Sequence, residues 1–255
     1  MESLKVIKIG GNVIDSPQAL ESFLEDFATL PGKKILVHGG GAIASKMLKD
    51  MGIEPKMIDG RRVTDAATLD VVTAVYAGLI NKNIVARLQK NGCNAAGLSG
   101  ADCNCITSRM RPKEPIDYGF VGDIGSVNPA AFDMFLTNAV TPVVCAINHD
   151  GNGTLLNTNA DTIASGIAKA MSTRYSVSLI MCFEKEGVLM DKDDEGSVIP
   201  QIDTTLFEQL KAEGRISAGM LPKLKNAFEA IACGVSSVVI KNSGKLLMQG
   251  GTTIC

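Results

Sequence analysis

Two stretches, Leu4-Lys5-Val6-Ile7-Lys8-Ile9-Gly10-Gly11 and Lys34-Ile35-Leu36-Val37-His38-Gly39-Gly40-Gly41, decide how this chain folds. Each is an aliphatic run that ends in glycines and leads into a helical pattern. Between them Ser16 offers an N-cap with Pro17 at the first helical position, and Leu20, Phe23, Leu24 and Phe27 recur on one helical face. Pro31-Gly32 closes that unit, and Ile43, Met47 and Leu48 give the next helix an inward face. Working outward, turn signals at Gly52, Pro55 and Asp59-Gly60 surround Arg61-Arg62-Val63-Thr64. Thr64-Asp65 then caps a helix running through Leu69, Val72, Val75 and Leu79 towards Leu88. Residues 94–127 carry short strands whose order the pattern does not give. Ala139 to Ile147 is predicted to be one buried strand, followed by a hairpin turn at Asp150-Gly151-Asn152-Gly153 that leads to Leu155 and Leu156.

The alternation then repeats: a helix near Ala160 to Ala170, a strand from Ser176 to Met181, a turn at Glu186-Gly187, a helix from Gly219 to Cys233 and a strand from Ser236 to Ile240. Strands separated by helices of this length imply a largely parallel sheet covered on both faces. The expected fold class is α/β, an open αβα sandwich. No linker divides the chain, so a single domain with two lobes on one continuous sheet is expected, about 1–172 and about 173–255.

Composition narrows the function. The formal net charge is −2 with no basic run, so the concentrated positive stripe that a nucleic acid needs is missing. The apolar stretch Ala139 to Ile147 is interrupted by Thr141 and Pro142 and falls short of the roughly 20 residues of a membrane span. Lys5 and Lys8 break any signal-peptide core. Seven cysteines, an odd and scattered set, fit free thiols in a reducing cytoplasmic compartment, and Cys103-Asn104-Cys105 has no second cluster at metal-ligand spacing.

Four constellations carry chemistry. Lys8 with Gly10-Gly11 puts a cation and closely approachable backbone N–H groups at the carboxyl end of a strand, where α/β sheets place their ligands. His38-Gly39-Gly40-Gly41 opens a second helix N-terminus to an anion, without the Walker or dinucleotide glycine spacing. Asn157-Thr158-Asn159-Ala160-Asp161 starts another helix. Asn159 is a natural N-cap and Asp161 complements the helix dipole, but together they could also bind a small polar substrate and position cations. In Gly219-Met220-Leu221-Pro222-Lys223 a lysine stands at the helix end that disfavours cations, a conflict that a bound anion would resolve. One guanidinium of Arg61-Arg62 could fork onto a carboxylate. His38 is read as a packed histidine at a strand end rather than a base.

Taken in order, Lys-x-Gly-Gly, His-Gly-Gly-Gly, Gly-Arg-Arg-Val-Thr-Asp, Asn-Thr-Asn-Ala-Asp and Gly-Met-x-Pro-Lys span the chain from Lys8 towards its Gly251-Thr252-Thr253-Ile254 ending. This set resembles the amino acid kinase family, and within it the branch that phosphorylates N-acylglutamate. The resemblance implies an N-terminal acylglutamate lobe and a C-terminal ATP lobe. It implies ATP-dependent phosphorylation of the γ-carboxylate of N-acetyl-L-glutamate in arginine biosynthesis. Lys8 and Lys223 would bind the transferring phosphoryl group from opposite sides, with Asp161 orienting both ammonium groups. Gly10, Gly11 and Gly40 would donate N–H groups to phosphate. Gly40, Gly41, Arg62, Asn157 and Asn159 would hold the acylglutamate, with Arg62 on its α-carboxylate. Glu184 and Gly187 would lie on the nucleotide side, Glu184 at the place of a family Asp. Mg²⁺ would be carried by the ATP phosphates, with no protein metal site.

The segment Ser99 to Asn104 lacks the family's glycine-rich continuation, which keeps N-succinylglutamate open as the acceptor. A non-catalytic effector sensor on the same fold is the alternative of another class. The first strand begins almost at the N-terminus, so an arginine-insensitive homodimer is expected rather than an arginine-regulated hexamer.

Overall fold

Leu4, Val6, Ile7 and Ile9 are buried to 0–1% exposure, as are Ile35, Leu36 and Val37, because both aliphatic runs lie at the centre of one sheet. The computed structural model describes residues 1–255 except Asp59, Lys192 and 217–219, and omits the side chain of Pro222. Gly219, expected to open the last helix, therefore lies outside the described residues, as does Asp59 of the expected turn.

In chain order the strands are β1 (Ser3–Ile9), β2 (Lys33–His38), β3 (Met57–Ile58), β4 (Arg61–Arg62), β5 (Ala95–Leu98), β6 (Ile106–Met110) and β7 (Gly122–Val127). They continue with β8 (Thr141–Val144), β9 (Ile147–His149), β10 (Leu155–Asn157), β11 (Ser176–Phe183), β12 (Gln201–Ile202), β13 (Ser237–Asn242) and β14 (Thr252–Ile254). The helices are α1 (Gly11–Asp15), α2 (Pro17–Thr29), α3 (Gly41–Asp50), α4 (Ala66–Thr73), α5 (Asn81–Lys90), α6 (Pro129–Thr137), α7 (Ala160–Met171), α8 (Thr204–Ala212) and α9 (Leu221–Ala232).

The central sheet has the order β12-β14-β13-β11-β1-β2-β8-β5 and is parallel except where β14 runs against β13. Lys8 is level with Met181, and Ile9 with His38, so the carboxyl ends of β1, β2 and β11 open on one edge. Residues 94–127 contribute β5 to this sheet. They also supply β6 and β7 of a separate four-stranded sheet, β10-β9-β6-β7.

Two expectations change. The predicted strand Ala139 to Ile147 is two strands. After β8 the Cys145 N–H still bonds to Leu98 O, but Ala146 O accepts from Thr158, and the chain crosses into the second sheet as β9. The predicted helix through Leu79 is not uniform either. Ala74–Ile80 between α4 and α5 winds as a wider π turn. The extra residue shifts the phase, so Val75, Tyr76 and Ile80 face the core while Leu79 is 46% exposed. The whole run Ala66–Lys90 is long and apolar enough to cross a membrane by length and composition, a feature that the search for an unbroken apolar stretch missed. Its Val71, Val72, Val75, Ile80, Ile84 and Leu88 are buried in the core cluster.

The end of α2 shows how a buried charge is accommodated. Lys34, first buried residue of β2, donates from its ammonium to the carbonyls of Phe27 (2.7 Å), Ala28 (2.9 Å) and Leu30 (2.7 Å). They cluster at the C-terminal end of α2, where backbone carbonyls run short of helical partners, although Phe27 O also accepts from the Leu30 N–H at 3.3 Å. Burial pushes the Lys34 ammonium below its ordinary value. Lys34→Met keeps the apolar stem and deletes the charged bonds. We expect it to cost roughly 2–3 kcal/mol, read as a lower urea midpoint with unchanged m-value.

Candidate active site

The glycine turn after β2 is shaped by what packs over it. Gly40 has φ +148°, and a Cβ there would overlap Ile80 Cδ1 and sit 3.3 Å from Tyr76 Cδ1. Only glycine takes that backbone without strain, and only glycine fits under the π turn. Its carbonyl already accepts from Ala44 in α3, so the first N–H groups of that helix are left facing outward.

Beside this turn lies a cavity of about 220 Å³, where Lys8, Gly11, Gly40, Arg62, Asn157 and Asn159 meet. Gly39 and Gly41 also line it. Arg62 is 6% exposed, and its Nη2 donates to Gly41 O and Ser45 Oγ, both at 2.8 Å. Its Nε and Nη1 are buried with no hydrogen-bond partner among the described residues. Buried guanidinium N–H groups left unpaired are costly, and a carboxylate oxygen would satisfy either nitrogen with a charge-assisted bond. Asn157 donates to Thr64 Oγ1 at 3.0 Å. Asn159 behaves as its N-cap reading foresaw, because its Oδ1 accepts from the N–H of Asp161 (2.8 Å) and Thr162 (3.2 Å). That leaves only its amide nitrogen for a ligand.

Asp161 stands in the first turn of α7, and its Oδ1 is 2.6 Å from Lys8 Nζ. Burial pushes this carboxyl up, but the attraction of Lys8 and then of Lys223 outweighs it and brings the group below its ordinary value. Asp161 is thus an ionised carboxylate at neutral pH that feels both lysines. Lys223 lies in α9 on a second cavity of about 330 Å³, together with Phe183, Glu184, Gly187, Arg215 and Met220. Its ammonium is 5.5 Å from the centre of the Phe183 ring.

The remaining candidates divide. Gly10 ends β1 and lies against Cys182 O and Phe183, so a Cβ would press on the neighbouring strand. Glu184 is exposed and lines the second cavity, with its carbonyl accepting from Asn242. Gly187 has a packing explanation of its own: a Cβ there would come within 2.7 Å of Thr252 Oγ1, which ties the end of β14 to Val188 and Ile199. The sequence motifs do not mark Tyr76, Ile80 and Ser45, which shape or hold the named residues, and they give Thr64 a capping position but not its bond to Asn157. These contacts join residues well apart in the chain, so no spacing rule shows them.

His38 is fully buried at the end of β2. Its Nδ1 is 2.9 Å from Gly39 O and its Nε2 is 3.0 Å from Asn81 Nδ2. Burial, opposed by the Gly39 bond and aided by the charge of Lys82, lowers its pKa to about 4. It is a packed neutral imidazole, as expected, and not a base for the chemistry.

Residues 3–242 match the model of the amino acid kinase family. The chain belongs to the amino acid kinase family. Among its relatives, a Cytophaga hutchinsonii protein named acetylglutamate kinase is 56% identical over 97% of this chain and 94% of its own length. A Bacteroides fragilis protein of the same name is 52% identical over 99% and 97%. One from Methanopyrus kandleri, also so named, is 38% identical over 98% and 100%. Of solved structures, a Streptococcus mutans protein matches with a TM-score of 0.79 at 27% identity, covering 98% of both chains. Carbamate kinase from Giardia matches at 0.71 and 14% identity, over 99% of this chain and 98% of that one, which speaks for the fold alone. The amino acid kinase fold thus accounts for the largely parallel central sheet.

The buried imidazole makes stability depend on pH. An unfolded histidine takes its proton near 6.5, while His38 does so only at about 4. Its contribution is therefore fully present above pH 6.5 and is lost as pH falls towards 4. Relative to His38→Asn, we expect the chain to lose about 3 kcal/mol between pH 6.5 and 4, measured as the difference between their urea unfolding free energies.

Proposed function

We propose that this amino acid kinase transfers the γ-phosphoryl group of ATP to the γ-carboxylate of N-acetyl-L-glutamate, giving N-acetyl-L-glutamyl 5-phosphate in arginine biosynthesis. The acceptor side rests on Arg62, which lines the cavity with Lys8 and keeps a buried, unpaired Nε and Nη1. Such a cation suits the α-carboxylate of an amino-acid derivative. The name shared by relatives 46–56% identical along nearly the whole chain supports the same substrate.

The chemistry asks little of the protein. A γ-carboxylate has a pKa of about 4.3 and arrives ionised at pH 7, so no base has to remove a proton. This agrees with a buried His38 that stays neutral. What remains is to bring two anions together and to neutralise charge in a loose phosphoryl transition state. Lys8 would approach the transferring group from the acceptor cavity and Lys223 from the nucleotide cavity. Asp161, ionised between them, would aim both ammonium groups. Gly10, Gly11 and Gly40 would give backbone N–H groups to phosphate oxygens, while Gly41, Asn157 and Asn159 would complete the acceptor pocket. Glu184 and Gly187 would border the nucleotide. Mg²⁺ would travel on the ATP phosphates. This reading also takes residues about 1–172 as the acceptor lobe and about 173–255 as the ATP lobe, and the working form as a cytoplasmic homodimer.

Losing one preorganised cation should depress turnover more than binding. We expect Lys8→Ala or Lys223→Ala to lower kcat at least about a hundredfold. Near-normal kcat in either would overturn their roles. Arg62→Ala should instead act on the acceptor, raising its KM by about 10- to 100-fold with a smaller change in kcat. Steady-state ATP consumption with N-acetylglutamate against N-succinylglutamate decides the acyl group. No turnover with either would sink the kinase reading and leave a binding protein.

A further inference from the structure

The chain beneath the glycine turn has a fixed direction that can be deduced without seeing a proton. At one end, Val143 O can only accept, so the Asn81 atom 2.9 Å from it is the Nδ2 donor. The same Nδ2 is 3.0 Å from His38 Nε2, which must therefore be the acceptor. A neutral imidazole accepting at Nε2 carries its proton on Nδ1, and that N–H meets Gly39 O at 2.9 Å. Asn81 Oδ1 meanwhile accepts from Lys82 Nζ at 3.1 Å, and Lys82 also donates to Gly97 O at 3.0 Å. Asn81 is 1% exposed. Both hydrogens of its amide and its oxygen are thus occupied, and the amide cannot flip without losing bonds to Val143 and Lys82.

This relay ends on one peptide plane. In a trans peptide the C=O and N–H point in opposite directions. With Gly39 O held down towards the buried ring, the N–H of Gly40 points the other way, towards the cavity that Gly39, Gly40 and Gly41 line. Gly40 sits at φ +148° and has no side chain to resist rotation of this plane. The imidazole supplies that resistance.

We infer that His38 is a positioning residue for phosphoryl transfer: locked by Asn81 as the Nδ1–H tautomer, it clamps Gly39 O and so aims the Gly40 N–H at the reacting anion. This role presupposes the kinase reading. Asn81 and Lys82 act through it, and none of the three touches substrate.

The first test needs no change at His38 and no turnover. The chain has only two histidines, so ¹⁵N NMR of imidazole-labelled protein, with His149→Gln for assignment, reads the tautomer of His38 directly. A protonated Nδ1 is expected. A protonated Nε2 would overturn the clamp whether or not the protein is a kinase. The second test separates positioning from packing. His38→Asn can place an amide N–H near the Nδ1 position, whereas His38→Gln reaches the Nε2 position and leaves Gly39 O without its donor. We expect His38→Gln to lower kcat at least about tenfold with KM values within about threefold, and His38→Asn to recover most of that loss. Equal kcat in the two folded variants, or near-normal kcat in His38→Gln, would reject the role. If His38→Gln does not fold, Asn81→Asp serves instead: a carboxylate can only accept from Nε2, so the tautomer should switch and kcat should fall together. A switched tautomer with unchanged kcat would reject the role equally. Absence of ATP turnover in the wild-type chain would count against the kinase reading alone, since the NMR result stands apart from it.

Discussion

The ion pair between Lys8 and Asp161 ties the end of the central strand β1 to the first turn of α7. Other features of the site are arranged around it. Parallel strands bring their carboxyl ends to one edge, so a cation there needs a counter-charge or an anion. Asp161 provides the counter-charge. Burial pushes a carboxyl in that place up, yet the attraction of Lys8 and Lys223 outweighs it and holds the group below its ordinary value. The carboxylate therefore couples a cation of β1 to one of α9, and through them the two cavities.

A second constraint is the unevenness of polar satisfaction. Lys34 and Asn81 have every strong bonding need met within the protein, which leaves neither a side-chain group for a ligand. Arg62 is comparably buried, but only its Nη2 is paired. Closely packed interiors rarely leave such donors idle, and the proposed ligand carboxylate would meet that need. Asn159 and Gly187 fall nearer the structural end, with a cap and a packing contact that already explain them.

Much of the fold was legible because local patterns and tertiary contacts agree. The burial of Leu20, Phe23, Leu24 and Phe27 follows from their spacing, and Ser16 caps the helix as its type suggests. The strand ends at Lys8 and His38 followed from aliphatic runs stopped by glycine. What failed to show was non-local or depended on an irregular turn. The split of Ala139 to Ile147 between two sheets turns on which partners Cys145 and Ala146 find, and those lie at Leu98 and Thr158. Leu79 faces outward because the helical period is broken by the wider turn of Ala74–Ile80. Lys8, Arg62 and Asp161 could be named from motifs, but Tyr76, Ser45 and Asn81 could not, since their importance comes from the residues they face.

That widened turn has a consequence for what the chain can tolerate. Single-residue deletions are usually absorbed in loops and are disruptive in sheets. Within Ala74–Ile80 a one-residue deletion would close the wide turn into an ordinary helix and leave the downstream residues facing as they do now. Regularising the turn with every residue kept would instead swing everything downstream by about 100° around the axis. Ile80 would leave Gly40, and Asn81 would leave His38. The segment can lose its extra residue and its wide turn together, but not the turn alone.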